Sequence, residues 1–273
     1  MELADKKAEI AAQGLGLAVI TYDSQAALKH FAERKNINYP MLSDAGSAVI
    51  RAFGILNENI PQENAFFGVP FPGTYVVDPK GTVKSKYFEE DYRERFTAGA
   101  ILTREFSAAG SNRTEIETRH LKLQTWASND RVFGGSRIRL VLAVDLPKGM
   151  HVYAPGVQSS YIPIDWKIPD SKGWMAFPPV YPPAKTLHLP AIQESALVYE
   201  GKLRVERDVT IAQANELAPF LSPEKALTLE GTFRYQACDD KVCYTPQNVP
   251  LKWTFTVQQN DRERVPAELR KIH

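Results

Sequence analysis

The spacing of apolar residues changes part-way along the chain, and the change predicts two kinds of folding unit. Over residues 1 to about 104, helical and extended segments alternate. Residues 2–13 have helical composition and stop at Gly14 and Gly16, where glycine ends a helix readily. Leu17-Ala18-Val19-Ile20 is a short apolar run of buried-strand type. Asp23-Ser24 then offers an N-cap to a helix carrying Ala26, Leu28, Phe31 and Ala32. Pro40-Met41-Leu42 reads as extended, and residues 47–53 as a helical turn or two. Thr74-Tyr75-Val76-Val77-Asp78 runs into a tight Pro79-Lys80-Gly81 turn, with residues 82–88 as the returning strand. Strands alternating with helices predict an α/β layer fold.

From residue 117 the helical pattern is gone. Residues 118–126, 137–145, 162–168, 196–199, 204–211, 227–236 and 249–257 read as short strands, punctuated by Pro147-Lys148-Gly149, Pro178-Pro179 and Pro182-Pro183. Short strands at this spacing predict an all-β sandwich over residues 117–258. Ser107-Ala108-Ala109-Gly110-Ser111-Asn112 is small and polar, so residues 105–116 read as a linker between the two units. Residues 259–273 form a charged tail of loosely helical character.

Composition narrows the function. Lys and Arg number 33 against 32 Asp and Glu, so no basic footprint for nucleic acid is expected. No apolar run approaches the roughly 20 residues that span a bilayer. The opening MELADKKAEIAAQGLG lacks the pattern of a secretory leader, which leaves a cytoplasmic chain or one whose leader lies upstream.

Two cysteines, Cys238 and Cys243, stand four residues apart. Such a pair fits a disulfide, half of a metal site or a redox couple. The histidines His30, His120, His151, His188 and His273 show no ligand spacing toward them, so neither a metal nor a cofactor is expected. His30 sits in a Lys- and Glu-rich helix and Tyr22 beside an apolar run, and both read as ordinary surface or packing residues. A hairpin with Asp239-Asp240-Lys241-Val242 at its tip sets the cysteines opposite each other, at the roughly 4.5–5.5 Å Cα separation that a disulfide bridges. So short a loop is a weak staple, about 2 kcal/mol by chain entropy, which favours a redox role. Asp239 and Asp240 disfavour a thiolate at Cys238, whereas Lys241 favours one near Cys243. A pair of this kind is attacked by a partner's thiolate rather than initiating attack.

Two resemblances sharpen these expectations. GLAVITYDSQAALKHFAERKNINYPMLSD, GSAVIRAFGI and FPGTYVVDPKGTVKSKYF resemble segments of the AhpC/TSA peroxiredoxins, which implies an incomplete thioredoxin-like domain over residues 1–104. Pro72 stands where such folds carry a cis-proline. The family's peroxide-reducing thiolate belongs to the start of the helix before GLAVITYDS. This chain begins inside that helix and has no cysteine in its first half, so the catalytic residue is expected upstream or the domain is a scaffold.

GTFRYQACDDKVCYTPQNVPLKWTFTV, residues 231–257, is similar to the periplasmic N-terminal domain of the thiol:disulfide interchange protein DsbD. LVYEGKLRVERDVTI and MHVYAP resemble that family's cap segment and an early strand ending. The resemblance implies an immunoglobulin-like sandwich with Cys238 and Cys243 as the catalytic redox pair. It further implies Tyr199 and Glu200 as shielding candidates and thioredoxin-like redox proteins as partners in a periplasmic or other extracytoplasmic compartment. Familiar members place five residues between the cysteines, against four here. Tyr235 and Tyr244 flank the pair as packing or docking aromatics. Thiol–disulfide exchange is thus the leading expectation. Its alternatives are a binding module stiffened by an inert disulfide, and part of a peroxiredoxin fusion.

Overall fold

A computed structural model describes residues 2–269 except 65, 90, 111, 158–160, 190–193, 262 and 264. The chain divides into two compact units, residues 1–98 with 260–273, and residues 99–259.

The first unit is mixed α/β. It contains α1 (Glu2–Ala12), β1 (Val19–Thr21), α2 (Gln25–Lys35), β2 (Met41–Ser43), α3 (Ala48–Ala52), β3 (Gly73–Val77), β4 (Val83–Phe88) and β5 (Arg95–Phe96). Local chemistry sets the boundaries. The Ser24 side chain caps α2 by accepting from the Ala27 N–H, and Asn36 ends it in the left-handed region at φ 50°. Asp78 accepts from the N–H groups of Lys80 and Thr82, folding the β3–β4 turn, while Gly81 takes φ +81°. β1 and β2 pair in parallel, Val19 opposite Met41. The apolar run at β1 is not buried on both faces as its composition suggests. Ile20 is 42% exposed and its partner Leu42 52%, because the two strands cover only one of their faces. No peptide bond among the described residues is cis, so the bond before Pro72 is trans, the lower-energy isomer. Among the described residues of the tail, Ala267–Leu269 form a 3-10 turn. Arg34 and Lys35 of α2 hold it through Asp261 at 2.8 Å each, and His273 lies outside the described residues.

The second unit opens with α4 (Ala98–Phe106) and is otherwise β-rich. Its strands are β6 (Thr114–Glu117), β7 (Lys122–Ala127), β8 (Arg131–Phe133), β9 (Ser136–Asp145), β10 (His151–Tyr153), β11 (Asp165–Lys167), β12 (Trp174–Ala176), β13 (Lys185–Leu189), β14 (Glu194–Glu200), β15 (Lys202–Ile211), β16 (Ala226–Tyr235), β17 (Ala237–Cys238) and β18 (Gln247–Gln258). They form sheets ordered β12-β15-β9-β7-β6, β11-β16-β18-β8 and β13-β14-β10-β17.

Period-two alternation drives the core. β16 and β18 turn Leu227, Leu229, Phe233, Val249, Leu251, Trp253 and Phe255 inward, against Ile138, Leu140 and Leu142 of β9 and Val205 and Val209 of β15. Each such side chain contributes about 1.5–3 kcal/mol by leaving water. The Trp253 indole donates to the Thr125 hydroxyl at 3.0 Å, tying β18 to β7 across the core. On the outer face of this sheet Arg139 of β9 pairs with Glu206 at 2.6 Å and Asp208 at 2.8 Å of β15, and Arg204 of β15 donates to the Thr103 carbonyl of α4. Residues 107–113 connect α4 to β6, and Gly110 packs its backbone onto β7.

Candidate functional site

The site lies where the chain changes sheets. β16 ends at Tyr235, paired with β18, and two residues later β17 pairs with β10, Val152 opposite Ala237 and His151 opposite Cys238. Gln236 is the corner, and its side-chain amide donates to the Tyr244 carbonyl at 3.1 Å.

Beyond it the chain reverses within four residues. The Asp239 N–H donates to the Val242 carbonyl at 3.0 Å, and the Tyr244 N–H to the Ala237 carbonyl at 2.9 Å. These two bonds bracket Cys238 and Cys243 and make them a non-hydrogen-bonded antiparallel pair, the closer of the two pair types. Their Cα atoms are 4.1 Å apart and a disulfide joins them. The Asp239 carboxylate fixes the tip. One oxygen accepts from the N–H groups of Lys241 and Val242, the other from the Tyr244 hydroxyl, all at 2.8 Å. These bonds hold its pKa below the usual carboxylate range, the Lys241 N–H contributing most.

The two sulfurs have different surroundings. Cys238 is 1% exposed and packs with Tyr153, Ala196 and Val198, whereas Cys243 is exposed at the protein surface. The Tyr153 hydroxyl lies 3.7 Å from Cys243 Sγ, and the Tyr153 ring stacks on Tyr161 at 4.2 Å. Val242, between the cysteines, is 53% exposed. Tyr244 lies at the rim, half-buried and stacked on His120 at 4.3 Å.

Of the residues singled out from sequence, Cys238, Cys243 and Tyr244 come together. Tyr235 does not join them: it is fully buried in the main core, its hydroxyl donating to Thr118 at 2.7 Å. Tyr199 is also a core residue, opposite Val152, with its hydroxyl on the Pro182 carbonyl at 2.9 Å. Alternation along β14 sends Tyr199 to the face away from the disulfide and Glu200 to the same face as Cys238. Tyr153, in contrast, lies beside the disulfide.

Sequence reasoning passed over His151 and Tyr153. Both sit in the MHVYAP segment, and their i, i+2 spacing puts them on one face, but only the pairing of β10 with β17 shows that this face is the one bearing Cys238. His151 is 3% exposed, and its Nε2 is buried without a hydrogen-bond partner. His30 and Tyr22 lie in the first unit and take no part in this cluster. Among the described residues no group of three or more His, Cys, Asp or Glu is placed to hold a metal ion, and no helix is long and apolar enough to cross a membrane.

Comparisons with known proteins fall on the same two segments. Residues 1–86 match the AhpC/TSA family, and residues 124–252 match the family of the thiol:disulfide interchange protein DsbD, N-terminal. No curated protein matches the chain. Among solved structures, the N-terminal periplasmic domain of ScsB from Proteus mirabilis aligns at 12% identity and a TM-score of 0.37, covering 54% of this chain and 52% of that one. The chain thus spans about half the length of that domain. The Neisseria meningitidis DsbD N-terminal domain in the reduced form aligns at 15% identity and a TM-score of 0.28, covering 43% of this chain and 77% of that one. The chain therefore joins a peroxiredoxin-like AhpC/TSA segment to a segment resembling the N-terminal domain of DsbD, in that order.

Proposed function

We propose that this chain exchanges electrons with a dithiol protein through the Cys238–Cys243 disulfide. The observation that carries the reading is the asymmetry of the pair: an exposed Cys243 on a tight hairpin, joined to a buried Cys238. A disulfide whose purpose is stability gains little from a loop this short, about 2 kcal/mol, and gains nothing from leaving one sulfur at the surface. Exchange requires that access. A partner thiolate attacks Cys243 Sγ in line with the S–S bond, Cys238 leaves, and the partner's second thiol resolves the mixed disulfide.

The match of residues 124–252 to the DsbD N-terminal family supports the same chemistry, with the β-rich unit as an immunoglobulin-like sandwich and residues 1–98 as a thioredoxin-like domain. A thioredoxin-like dithiol is the fitting partner, since it carries both the attacking and the resolving thiol. Val242 and the Tyr244 ring flank Cys243 as its apolar contact surface. A persistent disulfide suits an oxidising compartment, so the setting is periplasmic or otherwise extracytoplasmic. Tyr153 and Glu200 stand around the pair as its shielding groups, and neither a cofactor nor a metal takes part.

The test is the reduction potential of the couple, read as free thiols after equilibration in graded thiol/disulfide buffers. A value above about −300 mV is expected for an exchanging pair. A value well below it marks a structural staple, and the module is then a binding domain.

A further inference from the structure

Cys238 poses a problem that Cys243 does not. When the disulfide opens by attack on Cys243, the electron pair goes to Cys238 Sγ, which is 1% exposed among Tyr153, Ala196 and Val198. A thiolate there loses its hydration, and so deep a sulfur is protonated faster by a neighbouring side chain than by bulk water. The strand pairing supplies one neighbour of suitable chemistry. β10 runs between β14 and β17, with His151 directly opposite Glu200 on one side and Cys238 on the other. Directly opposed residues share a face of the sheet, with Cβ atoms about 4.5–5.5 Å apart. The His151 imidazole is buried on that face, and its Nε2 has no hydrogen-bond partner while the disulfide is intact.

We propose that His151 is the acid–base partner of Cys238, protonating its sulfur as the disulfide opens and taking that proton back as it closes. The inference rests on the exchange reading above. In the reducing direction a thiolate of the partner dithiol bonds to Cys243 Sγ and the S–S bond breaks. Its electron pair passes to Cys238 Sγ, which takes a proton from the His151 imidazolium. The partner's second thiolate then attacks the partner sulfur of the mixed disulfide, and Cys243 leaves as a thiolate that is protonated by water. Two electrons and two protons enter this chain, the partner ends as a disulfide, and the imidazole recovers its proton from solvent.

The other groups around the imidazole are suited to tuning this step and not to replacing it. Tyr153, with its ring 5.4 Å from the His151 ring, directs its hydroxyl to Cys243 instead. Glu200, Asp240 and Asp239 raise the imidazole pKa, while burial, the larger effect, pulls it below its ordinary value. Lys185 lies 3.7 Å from the Glu200 carboxylate and offsets part of its charge. The acid form is thus present at low pH and is lost as pH rises through a value below about 6.5.

Stopped-flow reduction of the full chain by dithiothreitol tests this, with each rate divided by the dithiothreitol thiolate concentration. In the wild type the normalised rate is expected to rise as pH falls through the imidazole step, by about a hundredfold, the lower end of what a positioned acid contributes. In His151→Gln the profile is expected to be flat. A second variant, Glu200→Gln, changes a side chain that is 45% exposed and is expected to move the step to lower pH. If His151→Gln keeps the wild-type profile, or Glu200→Gln leaves the step in place, the proposal falls while the exchange reading stands. A disulfide that does not open in any of the three proteins overturns both.

Discussion

Asp239 gathers the tip of the hairpin around one carboxylate, with two backbone N–H groups and the Tyr244 hydroxyl donating to it. Its folded pKa is depressed, so its contribution to the closed hairpin is present above the unfolded carboxylate range near pH 4 and is lost as pH falls through the lower folded value. Asp239→Ala leaves the three donors to water and lets the tip open. The closed disulfide loses preorganisation, and the potential of the couple is expected to rise by about 30 mV, a tenfold shift toward the dithiol. The graded-buffer titration checks this, and an unchanged potential would show that the turn does not set the couple. The charge pattern of Asp239-Asp240-Lys241 had suggested direct effects on the thiolates. In the fold the first acid is also a turn former, a role set by where its oxygens point.

Gly110 shows how an element boundary escapes composition. The small polar run around it has the look of a free connector, yet a Cβ placed on Gly110 would lie 1.9 Å from the Ala127 carbonyl oxygen and 2.5 Å from Trp126 Cδ1. The segment is pressed against β7, and only glycine fits there. Gly110→Ala is expected to destabilise the second unit by roughly 1–3 kcal/mol, the usual cost of overpacking, measured by urea denaturation. An effect near zero would mean that the segment lifts away freely. The long strands β9, β15, β16 and β18 were legible because ten or more residues carry their own signal. β8, β10 and β17 are two or three residues long and exist only through partners distant in sequence. Since β10 and β17 build the site, its two cysteines were legible and its lining was not. MHVYAP held His151 and Tyr153 in view, but nothing local says which strand they face.

Across the whole molecule, the two compact units predict two transitions in calorimetry of the oxidised protein. Reduction of the disulfide is expected to lower only the transition of the β-rich unit, by about 2 kcal/mol of stability, since the closed loop is short. A shift in the other transition, or in neither, would contradict that assignment. The chain folds back at the level of units as well: residues 260–273 return to the first unit, where Asp261 meets Arg34 and Lys35. By itself the sequence determined the change from α/β to β-rich periodicity, the caps and turns at Ser24 and Asp78, the strands that build the core, and a hairpin that sets Cys238 opposite Cys243. These are local matters of period, capping and loop length, decided within a few residues. Only the tertiary structure decided that Ile20 and Leu42 face outward, that Tyr199 belongs to the core while Tyr153 lies beside the disulfide, that one sulfur is buried and the other open, and that His151 stands opposite Cys238. Each of these depends on which distant strand lies alongside, because hydrogen-bond register and sheet facing are relations between segments that no single segment encodes.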